Sequence, residues 1–406
     1  MSKSLPATIR VVSSLREIDH STWDACANPP SANGVAAAFN PFVTWDFLQA
    51  LEESGCVGRR SGWSPRHLVL EEDGVQTGFM PCYAKGHSQG EYVFDWGWAE
   101  AYERAGGDYY PKLQACVPFT PVTGPRLLVG AGPDAPARRQ ALAGGLAEIC
   151  RRLGLSSAHV TFLRKDDRAE LAGLGYLQRT DKQFHWQDEG YGDFEGFLGA
   201  LAARKRKALR RERRDALAEG IEIVWLRGAE ITEADWDAFF DFYMETGSRK
   251  WGRPYLNRRF FSLLGERLGE RVLLIMARRD GRWIAGALNL TGSDTLYGRY
   301  WGCVEDRPFL HFEVCYYQAI DFALAHGLTR VEAGAQGAHK LARGYLPYTT
   351  HSAHYIVDPG LRRAVANFLT EERLQVAAEG KVLATMAPFR RGDLDRDATP
   401  GVDPPC

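Results

Sequence analysis

The chain has 406 residues, of which 25% are charged and 45% hydrophobic, and its formal net charge is −1. This balance excludes an acidic disordered chain and a polycation of the histone kind. The length predicts two domains, because single cores rarely grow beyond about 250–300 residues. No apolar run reaches the roughly 20 residues of a membrane span, and the start lacks the apolar core of a signal peptide. We therefore expect a cytoplasmic protein without a transmembrane segment.

The eight cysteines are scattered singly, without CxxC or any other metal-type spacing. Such a pattern is typical of reduced thiols in a cytoplasmic protein. We therefore expect no metal site.

The first half begins with a predicted strand, TIRVVSS, and two predicted helices, LREIDHSTWDACA and PFVTWDFLQALEESG. The segment HLVLEEDGVQTGFMPCYAK predicts a hairpin that turns at Asp73 and Gly74, because Asp-Gly suits a tight two-residue turn. An aromatic-rich segment over 88–125 follows. After it we predict a helix, APARRQALAGGLAEICRRLG, and a strand, AHVTFL.

The second half repeats this order of elements. We predict a helix, PYLNRRFFSLLGERLG, a hairpin that turns at Asp280 and Gly281, a third strand, DTLYGRYWG, a helix, HFEVCYYQAIDFALAHG, and a strand, TRVEAG. In both halves the last predicted helix ends at a glycine, and the chain then continues through a leucine towards the next strand. The repetition predicts a duplication, with a first domain over 1–190 that carries the insertion 88–125. The second domain covers 191–386, and a disordered tail covers 387–406.

The order helix, hairpin, further strand, loop, helix and strand resembles the GNAT acyltransferase fold. Its duplication resembles the Fem-type peptidoglycan aminoacyltransferases. The chain is most similar to the bacterial Fem-like family of predicted N-acyltransferases, or peptidoglycan biosynthesis/recognition proteins. This resemblance is carried by GEYVFDWGWAEAYERAGGDYYPK, ARKRKALRRERR, RYWGC…LHFEVCYYQAI and GAQGAHKLARGYLP.

The resemblance implies an α+β fold of tandem GNAT-like domains. It also implies transfer of an acyl or aminoacyl group to an amine of a small molecule, a peptide or a cell-wall precursor. The donor is either acyl-CoA or aminoacyl-tRNA. The alternative is a non-catalytic protein that recognises a peptidoglycan precursor, a peptide or RNA.

The Fem enzymes share a motif in which a phenylalanine-lysine pair is followed by two variable residues and then by an aromatic-glycine pair. Here Lys340 and Gly344 match that motif, whereas His339 and Arg343 replace its two aromatic residues. The resemblance implies that Lys340 grips an anionic substrate.

In the second half, a strand end, a helix start and a glycine-containing loop carry polar and aromatic residues that we predict to form one site. Its predicted members are Arg299, Trp301, His311, Glu332, Gln336, His339, Lys340, Arg343 and Tyr345. Amine acylation needs a base, an acid and donors for the developing oxyanion. We expect Glu332 or His311 as the base, and His339 is a further candidate for proton transfer. Tyr345 is the expected acid. Lys340 and Arg343 form a predicted anion clamp, with Gln336, Arg299 and Trp301 as further substrate contacts. The alternative is a polar turn that ends a buried strand.

Two first-half features are further candidates. The glycine-rich loop TGPRLLVGAGPDAP carries Arg126, a predicted substrate contact, although the loop also reads as a simple turn. Asp95 lies among tryptophans and tyrosines, and we expect their packing to raise its pKa and make it a general base. The aromatic residues alternatively form a platform for a sugar or an acyl chain, or an insertion packed onto the core.

The run ARKRKALRRERR predicts a basic amphipathic helix. Its residues Arg206, Arg210 and Arg211 are candidates for phosphate contact with tRNA, or for peripheral contact with an anionic membrane. The alternative is a solvated helix face paired with acidic neighbours.

Overall fold

The computed structural model describes residues 7–30, 39–250, 254–334 and 337–390. These residues form a mixed α+β fold with helices packed on a large sheet. No helix within these ranges is long and apolar enough to cross a membrane. Of the predicted tail 387–406, only residues 387–390 are described, and there the carbonyl of Pro388 accepts a hydrogen bond from the backbone N–H of Ala202.

The strands are β1 (Thr8–Val12), β2 (Trp63–Pro65), β3 (His67–Glu72), β4 (Val75–Met80), β5 (Cys82–Lys85), β6 (Lys112–Ala115), β7 (Ser157–Leu163), β8 (Leu177–Gln187), β9 (Glu222–Arg227), β10 (Val272–Arg279), β11 (Arg282–Thr291), β12 (Thr295–Cys303), β13 (Arg330–Glu332) and β14 (Leu346–Ile356). The α-helices are α1 (His20–Ala27), α2 (Trp45–Glu53), α3 (Trp96–Arg104), α4 (Ala135–Arg152), α5 (Lys165–Gly173), α6 (Phe194–Ala200), α7 (Ala203–Ala216), α8 (Glu233–Lys250), α9 (Arg258–Leu268), α10 (Leu310–Phe312), α11 (Gln318–Ala325) and α12 (Pro359–Thr385). A π-helical turn, Glu313–Tyr317, joins α10 to α11, and a 3-10 turn, Ala338–Arg343, precedes β14.

Both predicted hairpins are confirmed. Strands β3 and β4 pair on either side of Asp73 and Gly74, and β10 and β11 pair on either side of Asp280 and Gly281. All four turn residues have positive φ, at 52° and 79° in the first turn and 51° and 74° in the second. Asp-Gly favours this turn because aspartate tolerates and glycine freely adopts the left-handed conformation.

The two predicted halves share one sheet. Strands β1, β3 and β4 form a separate three-stranded sheet, and the other strands form an eleven-stranded sheet in the order β2-β5-β6-β7-β14-β8-β13-β12-β11-β10-β9. Strand β14 comes late in the chain but lies between β7 and β8, and β8 pairs with β13 on its other side. The predicted boundary near residue 190 therefore falls between strands of a continuous sheet.

Aromatic packing also joins the halves. Phe47 of α2 packs edge-on against Phe260 of α9, with ring centroids 5.9 Å apart, and Phe42 packs edge-on against Tyr297 of β12 at 5.2 Å. These side chains belong to one buried cluster. Because each buried phenylalanine contributes about 1.5–3 kcal/mol, this shared core favours a fixed arrangement of the two halves.

Each half contains a pair of parallel strands that separates after three residue pairs. Residues 113–115 of β6 pair with 158–160 of β7, and residues 295–297 of β12 pair with 330–332 of β13. We call the openings beyond these pairs the first notch and the second notch. Backbone groups on the inner edges lose their strand partners there, so each notch must be filled by other groups or by a ligand.

Candidate active site at the second notch

A buried ion pair marks the start of the second notch. Arg299 Nη2 of β12 donates to Glu332 Oε2 at the end of β13 at 3.0 Å, and Arg299 Nη1 donates to the carbonyl of Gly298 at 2.8 Å. The side chains of Arg299 and Glu332 are only 2% and 4% exposed. Burial raises the pKa of Glu332, and the charge of Arg299 opposes this shift. A carboxyl group in this environment suits a general base.

His185 of β8 is a neighbour that the sequence analysis did not identify. Its Nε2 lies 4.0 Å from Glu332 Oε1 and 3.2 Å from Gln183 Oε1. The ring stacks on Tyr348 of β14, with centroids 4.2 Å apart. Burial lowers the pKa of His185 well below its ordinary value, so the imidazole is neutral. The polar alternation QFHW along β8 was the only signal in the sequence for this side chain.

A cluster of aromatic and histidine rings lies where the polypeptide leaves β12 and enters α10. His311 lies 5.2 Å from Trp301 and 6.2 Å from His339 between ring centroids, and His339 Nε2 lies 3.0 Å from the hydroxyl of Tyr316. His339 is exposed, Trp301 and His311 are half-buried, and Tyr316 is buried. The structure thus brings three predicted residues together on a partly open surface, with Tyr316 beneath them.

An unusual helix start positions this cluster. Phe309 adopts φ 62°, which turns the chain into α10, and the next turn is π-helical. Glu313 in that turn is fully buried and accepts two hydrogen bonds from Arg213 of α7, at 2.9 and 3.1 Å. Such π-helical turns occur frequently at functional sites because they redirect side chains locally. Here the turn places Tyr316 beneath His339.

Lys340 and Arg343, which form the predicted anion clamp, stabilise the loop that contains them. Lys340 Nζ donates to the carbonyls of Ala333 and Gly334, and burial lowers its pKa to about 8. Arg343 Nη2 donates to Glu212 Oε2 of α7 at 2.7 Å, and its guanidinium lies 3.4 Å from the ring centre of Phe312. Both side chains are at least nine-tenths buried. The clamp prediction is therefore corrected, since these cations bind protein atoms rather than facing a ligand.

Tyr345 does not suit the predicted acid role. Its side chain is fully buried, and its hydroxyl donates to the backbone carbonyl of Tyr316 at 3.1 Å. A different phenol, that of Tyr316, contacts the exposed side chain of His339. Tyr316 is therefore the candidate phenol of this site in place of Tyr345.

Arg126 fills the first notch. Its side chain is fully buried and donates to the carbonyls of Thr161, Pro125 and Val122, at 3.0, 3.0 and 2.6 Å. Gly124 adds a backbone hydrogen bond to the carbonyl of Phe162. The prediction of Arg126 as a substrate contact is therefore wrong, because its donors are already bound to the protein's own backbone.

Asp95 lies in a separate buried network of the first half. Its Oδ2 accepts from Tyr109 at 2.7 Å and from Lys112 Nζ, and it lies 3.6 Å from His159 Nε2. Burial acts to raise its pKa, but the charges of Lys112 and His159 and the hydrogen bonds prevail, and the pKa of Asp95 is lowered. The predicted raised pKa is wrong, because the opposing ammonium arrives from β6. Asp95 is therefore an anchoring group.

The predicted basic helix is confirmed as α7. Arg210 pairs with Glu195, Arg211 pairs with Asp215 at 3.2 Å, and both arginines are exposed, whereas Arg206 is half-buried. The half-buried side chains of Glu212 and Arg213 on α7 contact the loop at Arg343 and the π-helical turn at Glu313, respectively. The helix thus connects a basic surface to the candidate site.

The predicted residues separate into two places. In the second half, Arg299 and Glu332 form the buried pair where β12 and β13 separate, and Trp301, His311 and His339 form the ring cluster at the start of α10, whereas Asp95 and Arg126 lie in the first half. Gln336 lies outside the described residues. Across the described ranges, no group of three or more His, Cys, Asp or Glu side chains could hold a metal ion.

Comparison with solved structures shows the fold. FemX has 13% identity and a TM-score of 0.52, and the alignment covers 86% of this chain and 98% of FemX. A conserved protein of unknown function from Bacteroides thetaiotaomicron has 11% identity and a TM-score of 0.50, with 86% of this chain and 100% of that protein covered. The expected α+β fold of the Fem type is confirmed.

Comparison with protein families identifies the chain more closely. None of the curated proteins with which the sequence was compared matches it. Residues 14–391 match the FemAB-like family, which is described as peptidoglycan biosynthesis/recognition. The chain therefore belongs to the FemAB-like family.

Proposed function

We propose that this chain is an N-acyltransferase that transfers an acyl or aminoacyl group to an amine at the second notch. The observation that supports this proposal is the buried Arg299–Glu332 pair at the point where β12 and β13 separate. A half-open ring cluster lies further along the chain, between the end of β12 and the start of α10, whereas Arg126 fills the corresponding notch of the first half. Catalysis is therefore assigned to the second half.

The residues of this site can perform the proton transfers of amine acylation. An alkyl ammonium has a pKa near 10.4, so the acceptor must lose a proton before its nitrogen attacks the acyl carbonyl. Glu332 accepts this proton, with Arg299 stabilising the ionised carboxylate, and His311 is the other candidate base. When the bond from the acyl carbon to the leaving group breaks, that group takes a proton. His339, hydrogen-bonded to Tyr316, supplies it.

The donor is proposed to be acyl-CoA or aminoacyl-tRNA, both of which carry several phosphates. Support comes from α7, on which Arg210 and Arg211 are exposed while the half-buried Arg213 contacts Glu313 of the π-helical turn. Phosphate groups are attracted to such clusters of arginine. The acceptor is proposed to be an amine of a small molecule, a peptide or a cell-wall precursor.

A donor–acceptor screen tests this function. The purified chain is incubated with acetyl-CoA, longer acyl-CoAs and aminoacyl-tRNAs in turn, each with a panel of amines that includes precursor peptides, and the products are analysed by mass spectrometry. We expect one donor class to be consumed. Glu332→Gln should slow that reaction by about 10²- to 10⁴-fold, the usual contribution of a general base. Glu189→Gln, which changes an exposed carboxylate of the loop after β8, should not.

The same screen tests the binding-protein alternative. If no donor is consumed with any amine, but a precursor peptide or RNA binds, the chain recognises its ligand without catalysis and the transferase proposal fails.

A further inference from the structure

Two aromatic rings of the first-half insertion face solvent. Phe94 is 43% and Trp96 53% exposed, and their ring centroids are 4.8 Å apart. Asp95 between them is only 2% exposed. The alternation turns one polar side chain into the protein and two large apolar side chains outward, which reverses the usual arrangement. We call Phe94 and Trp96 the aromatic platform.

The aromatic platform is held rigidly from below. The carboxylate of Asp95 is fixed by Tyr109 and by the buried ammonium of Lys112, and consequently it does not cap α3. The carbonyl of Phe94 accepts from Arg179 Nη1 at 2.7 Å, and Arg179 is also paired with Glu372 of α12. The rings are therefore exposed on an anchored backbone, and rigid presentation of aromatic groups is typical of recognition surfaces.

The helix surface beside Trp96 is open. Gly97, which follows Trp96 directly, is exposed, and a Cβ atom added to it would meet no atom within 4 Å. Glu100, four residues after Trp96, is exposed one helical turn further on, and the exposed Arg104 follows another turn along. An exposed apolar surface is thus followed along α3 by a carboxylate and a guanidinium.

We propose that the aromatic platform binds a pyranose ring of a saccharide. The C–H groups on one side of such a ring carry partial positive charge and pack on the negatively polarised face of an aromatic ring. The open helix surface at Gly97, which we call the shelf, leaves room for the sugar. The hydroxyl groups of the sugar can hydrogen-bond to Glu100 and Arg104. This site involves none of the residues of the second notch and does not depend on acyl transfer.

Size and charge disfavour other occupants. A stable protein partner buries about 800 Å² on each side, which greatly exceeds two rings. An anionic membrane surface would be repelled by the exposed carboxylates Glu100 and Glu103 on the same helix. A single sugar ring matches both the area and the mixed charge.

Titration with saccharides tests the proposal on the full chain. The probes are chitotetraose, a neutral oligomer of N-acetylglucosamine, and a disaccharide that contains N-acetylmuramic acid, and binding is followed by calorimetry. We expect the wild type to bind at least one probe. Trp96→Ala should weaken binding about tenfold or more, as truncation of a central aromatic contact does. Gly97→Leu should weaken it equally by filling the shelf while leaving both rings in place.

The matched control is Leu374→Ala, which removes an apolar side chain that is 70% exposed on α12. This variant should bind like the wild type, and circular dichroism should show native folding of all three variants. The proposal is overturned if the wild type binds neither probe, or if Trp96→Ala and Gly97→Leu bind normally. It is also overturned if Trp96→Ala abolishes vesicle binding or dimer formation but leaves saccharide binding unchanged.

Discussion

Arg299 and Glu332 form a side-chain ion pair at 3.0 Å at the last backbone pairing of β12 with β13, in which Glu332 lies opposite Tyr297. The pair spans the beginning of the second notch and takes over the connection between the strands where their hydrogen bonds stop. A buried carboxylate that has lost its cation carries a large desolvation penalty. The arginine therefore opposes the rise that burial causes in the pKa of Glu332, and it connects the two strands at this point.

The first prediction concerns the pH dependence of transfer. The acidic limb of kcat/KM should report the ionisation of Glu332, whose pKa is raised by burial and held back by Arg299. Arg299→Ala removes the opposing charge, so the pKa rises further and the limb moves to higher pH by about one unit or more. Arg299→Lys keeps the charge and should leave the limb near its wild-type position. An identical limb in all three proteins would exclude Glu332 as the titrating base.

The second prediction separates the roles of two tyrosines. Tyr316→Phe removes the hydroxyl that contacts His339 and should lower kcat by about 10²-fold, the lower end of a proton-transfer contribution. Tyr345→Phe leaves the carbonyl of Tyr316 without its donor and should lower the free energy of unfolding by about 1 kcal/mol, with kcat little changed. Steady-state kinetics and urea denaturation of both variants measure the two effects. The assignment of Tyr316 fails if Tyr345→Phe lowers kcat more than Tyr316→Phe does.

Local signals allowed much of the fold to be predicted. The turns at Asp73-Gly74 and Asp280-Gly281 depend on two adjacent residues, and both hairpins are confirmed. The insertion of β14 between β7 and β8 was not predictable in this way, because it pairs segments that are distant in sequence. No pattern within one strand indicates which distant strand will become its neighbour.

The same distinction applies to the site. Glu332 was recognisable as a polar residue at the end of a strand, whereas His185 reaches it only because β8 pairs with β13. For Asp95 the surrounding aromatic residues were visible in the sequence, but the opposing charge of Lys112 was not. Electrostatic predictions from sequence failed where the decisive partner came from another strand.

The third prediction concerns the attachment of α7. Arg213→Ala leaves the fully buried Glu313 without its cation, and loss of one partner of a buried pair typically costs about 3–5 kcal/mol. Arg214→Ala changes the neighbouring exposed arginine and should alter stability by no more than about 0.5 kcal/mol. Urea denaturation measures both. Equal stability of the two variants would show that the Arg213–Glu313 pair does not hold the π-helical turn.

The fourth prediction concerns the basic face of α7. The triple variant Arg206→Glu, Arg210→Glu and Arg211→Glu should weaken binding of a phosphate-rich donor and reduce the slope of log affinity against log salt. The slope is measured with tRNA and with anionic vesicles in separate titrations. Unchanged affinity for both would leave α7 as a solvated surface helix.

The fifth prediction concerns a buried lysine of the first half. Lys85 Nζ lies 3.7 Å from Glu91 Oε1, 3.3 Å from His87 Nδ1 and 3.5 Å from the ring centre of Trp63. Burial lowers the pKa of Lys85 from 10.5 to about 7, against the attraction of Glu91. Between these values the unfolded chain binds the proton more tightly than the folded chain does. The contribution of Lys85 to stability therefore rises as pH rises through this window.

Glu91 acts in the opposite direction in a lower window. Burial raises its pKa from 4.5 to about 7, so the contribution of Glu91 to stability is greatest below pH 4.5 and is lost as pH rises towards 7.

Because the contribution of Lys85 rises above pH 7, Lys85→Met should flatten the pH dependence of the free energy of unfolding between pH 7 and 9.5 relative to the wild type. Urea denaturation across this range measures the difference. Parallel curves for the wild type and Lys85→Met would show that the folded protein keeps Lys85 protonated, because the nearby carboxylate then outweighs its burial.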